Sequence, residues 1–220
     1  MIELLRFLLS GLCHQWPEHS LTAYGMPLPL CARCTGMHVA AAMAMLCLFA
    51  TPATRRRSGL PSGAVVWLLG VLVLAWLVDA LNSAAAALWG CSIYRPTNLI
   101  RLVTGGGMGL CLGVVLYALL QDALAAQPAL ASAVSKPSTL GRPAIAGAAG
   151  IGLVLLTPWE LARAVFLAIC AIGPLSIANG LALHWLFPRW QRRGIWLALG
   201  VVAATMEVGQ LALVRRLLGA

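Results

Sequence analysis

Apolar positions in this chain neither alternate nor keep to a single helical stripe. They run on in six blocks, at 31–51, 62–88, 98–120, about 143–157, about 160–187 and 194–214, separated by short polar breaks. A bilayer core of ~30 Å is crossed by ~20 helical residues, so each block predicts a membrane-spanning helix. The fourth block is short and stops at Thr157-Pro158, which suits a tilted or partial span. Pro174 falls inside the fifth and predicts a kink, because its ring removes one helical hydrogen bond. Residues 2–12 are apolar but too few to cross, and predict a short interfacial helix. The expectation is an all-α fold: a polytopic integral membrane helical bundle of about six transmembrane helices plus that N-terminal helix. Residues 1–120 form the motif-bearing part with three spans. Residues 121–142, rich in Ala, Ser and Pro, read as a linker, and 143–220 supply C-terminal helices that pack with the core as one domain.

Composition supports this picture and excludes others. Hydrophobic residues make up 61% of the 220, and charged residues only 10%, against the ~25% of a soluble domain. Six carboxylates and fifteen Lys/Arg cannot cover the outside of a soluble fold, so the partner of most of the surface is the lipid bilayer. A net charge of +9 would suggest nucleic acid in a soluble protein. Here the basic residues fall mainly in loops, and no nucleic-acid partner is expected. Arg55, Arg56, Arg57, Lys136, Arg142, Arg189, Arg192 and Arg193 lie on one side of the predicted bundle. Arg6, Arg33, Arg95, Arg101, Arg163, Arg215 and Arg216 lie on the other. The dense clusters of the first group point to the cytoplasmic side of a bacterial inner membrane, leaving the second face periplasmic. Trp16, Trp89, Trp159, Trp185 and Trp190 fall near span ends, as interfacial anchors do.

The third span carries Gly105, Gly109 and Gly113 at spacings of four. That puts three glycines on one face, where another helix backbone can approach closely.

The chemistry gathers in 13–36. Cys13-His14-Gln15-Trp16-Pro17-Glu18-His19 is followed by Pro29-Leu30-Cys31-Ala32-Arg33-Cys34-Thr35-Gly36. Asp79 comes late in the second span, and Asn98-x-x-Arg101-x-x-Thr104-Gly105 opens the third. This set resembles the bacterial and archaeal membrane family catalogued as domain of unknown function 2085, over roughly residues 10–120. The resemblance implies a small helical membrane protein and no established activity. The chain departs from the family pattern at His19, where Arg is usual, and at His38, where an aromatic is usual. It also lacks the glycine that usually follows Asp79.

The residues themselves leave three chemistries open. Cys31 and Cys34 are i, i+3, with His38 four further on, on one helix face. With Cys13 and His14 closing on them they make a ligand set suited to Zn²⁺ or another transition metal, and Cys91 falls on the same side of the membrane. The same cysteines in an oxidising compartment can instead form disulfides or a thiol redox relay. Asp79 with Arg101, and Glu207 with His184, are candidate buried pairs and a candidate charged pathway for a transporter or channel. In the metal reading Cys13, His14, Cys31 and Cys34 hold the ion, and Glu18 or Asp79 activates water. Arg33, Asn98 and Arg101 then bind an anionic group, as in a hydrolase or transferase acting on a phosphorylated or polyprenyl lipid. Cys47, Cys111 and Cys170 lie in apolar runs and read as buried hydrophobes.

Overall fold

The computed structural model describes residues 1–52, 54, 57, 59–61, 63–124, 132, 134–187 and 194–218. Its helices are α1 (Ile2–Ser10), α2 (Ala32–Ala50), α3 (Ala64–Trp89), α4 (Asn98–Leu124), α5 (Gly141–Leu156), α6 (Glu160–Leu186) and α7 (Ile195–Leu217). Tight 3₁₀ turns lie at Pro17–His19 and Pro137–Leu140. Helices α2, α3, α4, α6 and α7 are long and apolar enough to cross a membrane. So is α5 with the turn before it, 20 residues over Pro137–Leu156. The six expected spans are thus present, with ends within a few residues of the apolar blocks, because block length and bilayer thickness are the same constraint. Pro174 sits inside α6, and the helix continues on both sides of it.

Helix α2 is the hub. It packs most extensively against α4, and also against α5 and α6, while α7 pairs with α6. The α2–α4 seam is made by the glycine face. A Cβ placed on Gly105 would lie 2.2 Å from the Arg33 carbonyl oxygen, and one on Gly109 2.2 Å from that of Met37. On the opposing helix, a Cβ on Gly36 would lie 2.3 Å from the Leu102 carbonyl oxygen. Only hydrogen fits in this seam, so the two backbones touch and the register of α4 on α2 is fixed. Helix α3 is peripheral. It packs on α4 and turns Trp67, Val71, Leu74 and Leu81 outward, as a lipid-facing helix does.

The pattern of apolar residues gives no sign of strands, yet a small hairpin precedes α2. Strands β1 (Ser20–Ala23) and β2 (Met26–Cys31) pair antiparallel, with Thr22 opposite Pro27 and Ala23 opposite Met26. Tyr24 and Gly25 form its tip with φ of 52° and 75°, the two left-handed positions that a two-residue hairpin turn demands. The Tyr24 hydroxyl donates to the Leu156 carbonyl oxygen at 2.9 Å, which seats the tip on the end of α5.

On the opposite face, the Tyr117 hydroxyl donates to the Thr54 carbonyl oxygen at 2.9 Å, and Val134 and Leu140 are buried in the core. The expected linker therefore contributes packing residues. Arg55, Arg56, Arg189, Arg192, Arg193 and Trp190 lie outside the described residues.

The seam makes a sharp prediction. Gly109→Leu is expected to separate α2 from α4 and to abolish a monodisperse, cooperatively melting protein in detergent. Gly106→Ala, which meets no atom within 4 Å, is expected to change stability by less than about 1 kcal/mol. Equal melting temperatures for the two variants would contradict the seam.

Candidate functional site

Four joints position the three-cysteine group and the ionic side chains around it. The first is the start of α2. Cys31 is its N-cap residue and Cys34 lies in its first turn, so the two sulfurs sit side by side at a helix N-terminus. The second is the α1–hairpin connection, which brings Cys13 onto them. The Sγ atoms of Cys13, Cys31 and Cys34 all lie within 4.8 Å of one another. Cys13 and Cys31 are buried. The backbone N–H of Cys31 points at Cys13 Sγ, 3.1 Å from N to S, and that of Gln15 points at it across 3.5 Å. Such N–H···S contacts stabilise a thiolate or a metal-bound sulfur. Cys31 is held well below the ordinary thiol range, first by the hydrogen bond from Cys13 and next by that from Cys34. Cys13 is correspondingly pushed up, chiefly by its hydrogen bond to Cys31.

Gln15 explains why the connection is ordered. Its backbone takes φ of 53°, a conformation that costs a non-glycine residue about 1 kcal/mol or more. Its amide nitrogen donates to the carbonyl oxygens of Arg6 and Pro29, both at 2.8 Å, tying α1 to β2. Arg215, from the last turn of α7, closes the same segment. Its guanidinium donates to the Ser10 carbonyl oxygen at 3.1 Å and to those of Cys13 and His14.

His14 does not join the sulfurs. Its ring turns outward, and its Nε2 lies 3.1 Å from His19 Nδ1, one ring donating and the other accepting. Burial, the largest cause for each, lowers the pKa of both imidazoles, and nearby arginines add to it. His38 lies outside the three-sulfur group, as does the exposed Cys91. Glu18 is exposed on the 3₁₀ turn, and its backbone carbonyl oxygen accepts from the Asn98 side chain at 3.0 Å.

The third joint is a buried ion pair, and it is not the one the sequence suggests. Asp79 pairs with Arg33, not with Arg101. Arg33 Nη2 donates to Asp79 Oδ2 at 2.5 Å and Nε to the same oxygen at 3.1 Å. The Thr104 hydroxyl donates to Oδ2 at 3.1 Å and the Tyr94 hydroxyl to Oδ1 at 2.8 Å. Arg33 also donates to the Ser83 hydroxyl at 2.9 Å. With Gly105 against Arg33, Arg33 and Thr104 bond Asp79 Oδ2, and the Arg101 side chain bonds Asn98 instead. Asn82, on the same face as Asp79, accepts from the Ile93 N–H at 2.7 Å and donates to the Tyr94 carbonyl oxygen at 2.9 Å. This fixes the loop that carries Tyr94.

The fourth joint is the start of α4. Asn98 donates to the carbonyl oxygens of Glu18 and Ser20 and accepts from Arg101 Nη1 at 3.0 Å. Arg101 is 7% exposed and lines a cleft of about 410 Å³ with Cys31, Arg33, His14 and His19 on one wall. Ala80, Ala84, Ala87 and Leu88 of α3 form the other wall. Arg95 is exposed on the nearby loop.

Glu207 and His184 do not meet. Asn179 donates to Glu207 at 3.0 Å. His184, nearer the α6–α7 connection, stacks at 5.1 Å on Trp196 instead.

The sequence does not single out Gln15, Ser83, Tyr94, Thr104 and Arg215 as site residues. Gln15 and Thr104 stand inside the two motifs and could have been found there. Ser83, Tyr94 and Arg215 carry no local signal, since only folding brings them in.

Residues 13–115 match the model of a family described as a predicted membrane protein (DUF2085), the family that the motifs resemble. The match takes in Cys13, Cys31, Cys34, Asp79 and Arg101 and ends within α4, so α5, α6 and α7 lie beyond it. No curated protein and no solved structure matches the chain.

Removing one member of a buried pair leaves an unpaired charge, which costs roughly 3–5 kcal/mol. Arg33→Met alone is expected to lower the thermal stability of the protein in detergent by about that much. Arg33→Met combined with Asp79→Leu is expected to recover most of the loss. A double variant no more stable than the single one would contradict the pair.

Proposed function

We propose that this membrane protein holds one Zn²⁺ ion through Cys13, Cys31 and Cys34 and catalyses hydrolysis or group transfer on a phosphorylated or polyprenyl lipid. The observation that carries the reading is the convergence of three sulfurs from two chain segments, within 4.8 Å, beside a cleft with one cationic and one apolar wall. In tetrahedral Zn²⁺ coordination with Zn–S of ~2.3 Å the sulfurs stand about 3.8 Å apart, a spacing that this cluster reaches with small side-chain adjustments. Three protein ligands leave a fourth position open, the pattern of catalytic zinc. The ion would supply a Lewis acid and a water of lowered pKa.

The chain's own residues take the remaining tasks. Arg101, oriented by Asn98, holds the anionic group. The His14–His19 pair lines the cleft and is placed to pass a proton, with the Glu18 carboxylate close to it in sequence. In hydrolysis the water oxygen bonds to phosphorus, the bond to the leaving oxygen breaks, and a water proton passes to that oxygen. Asp79, with both oxygens accepting from Arg33, Tyr94 and Thr104, acts as a positioning residue in this reading. The site face is taken as periplasmic, from the distribution of Arg and Lys between the two sides.

A second reading has its own support. A Cys-x-x-Cys pair at a helix start with a third thiol within reach is also the geometry of thiol–disulfide exchange. One preparation separates the two. Protein purified in mild detergent is expected to contain one zinc per chain. Cys31→Ser and Cys34→Ser are expected to lose it, and chelators to lower the melting temperature. A metal-free protein indifferent to chelators overturns the zinc reading. A reversible disulfide among these cysteines, seen by thiol trapping, establishes the redox one.

A further inference from the structure

The cleft has an asymmetry that general anion binding does not explain. Its cationic wall carries Arg101, which is 7% exposed. Among the described residues, its side chain donates to neutral Asn98. The nearest carboxylate system, Asp79, is neutralised by Arg33, and no carboxylate lines the cleft among the described residues. A largely buried guanidinium whose side chain donates to one neutral acceptor has donors to spare for an anion delivered from outside. Arg33, on the same wall, is committed to Asp79, which leaves Arg101 as the wall's guanidinium for one phosphoryl group.

The facing wall is built differently. Ala80, Ser83, Ala84 and Ala87 stand at i, i+3, i+4 and i+7 of α3, on one helix face. Ala84 and Ala87 are exposed, at the end of a helix whose other apolar side chains also face outward. A ledge of small side chains is thus open sideways, toward the region that lipid chains occupy. The volume, about 410 Å³, falls in the ~300–1,000 Å³ range of ligand sites.

We infer that the cleft takes a single-chain lipid phosphate monoester entering sideways from the bilayer, its phosphate on Arg101 and its slender chain along Ala80, Ala84 and Ala87. This rests on the lipid half of the function proposed above and is independent of the zinc half. The ledge is the specificity element: it admits one unbranched or prenyl-like chain, and a bulkier side chain there closes it.

The full chain, stripped of metal by chelator in a neutral maltoside detergent, is titrated with dodecyl phosphate. Binding is followed by native mass spectrometry and by the melting temperature. One dodecyl phosphate per chain is expected, with a rise in melting temperature. Arg101→Gln is expected to weaken it by about tenfold, the loss of one charge-assisted contact. Ala84→Phe, at an exposed position that leaves every charge in place, is expected to weaken it by a similar factor. Inorganic phosphate and dodecyltrimethylammonium are expected to give no shift at the same concentrations. Equal binding by the wild type and Ala84→Phe overturns the proposal, since it indicates partitioning elsewhere on the bundle. A shift with inorganic phosphate alone overturns it in favour of a free-anion site. If Arg101→Gln does not fold, Ala84→Phe decides. Ledge-dependent binding in a protein that never contains zinc removes the metal reading alone. Zinc without ledge-dependent binding removes this inference alone.

Discussion

A carboxylate without exposed surface, set in a span that is otherwise apolar, must find a cation and enough donors for its lone pairs. Asp79 finds them on three separate segments: Arg33 at the start of α2, Tyr94 on the loop after α3, and Thr104 on α4. Satisfying one side chain therefore locks the relative rotation of three helices at the motif face. The glycine seam supplies the distance and Asp79 supplies the angle. With both in place, the sulfurs of Cys31 and Cys34 have a fixed platform, and Arg101 is left facing the cleft.

The third sulfur has a different origin. Cys13 belongs to no helix or strand, and the forces that hold it come from the two ends of the chain. Gln15 bonds it back to α1 and β2, and Arg215 clamps it from α7. Gly11, just before it, lies so close to α7 that a Cβ there would be 2.3 Å from the Val208 carbonyl oxygen. The segment that matches the family thus contains all three cysteines, while part of the scaffold that places Cys13 comes from beyond it.

The spans, the glycine face and the clustering of chemistry between 13 and 36 were legible in the sequence, because each is a local property: block length, spacing of four, residue type. What was not legible depends on rotation and on turns. The Asp79 partner depended on whether Arg33 of α2 or Arg101 of α4 reaches it, and hydrophobicity says nothing about that choice. The hairpin was hidden by Pro27 and Pro29, which lack the N–H that a strand interior uses. They are tolerated because β2 has only one neighbouring strand. His14 adjoins Cys13 in the motif, yet its ring meets His19 and not the sulfurs. Adjacent motif residues therefore serve different walls of the site.

The Arg215 clamp has a consequence for biosynthesis. The carbonyls it grips lie 202 and 201 residues earlier in the chain. Until the last helix has left the ribosome and entered the bilayer, Cys13 lacks that hold. The sulfur trio can therefore gain that hold only after α7 has been made, so an earlier nascent chain would present Cys31 and Cys34 with Cys13 unclamped. Any chemistry at the trio would then follow the insertion of α7.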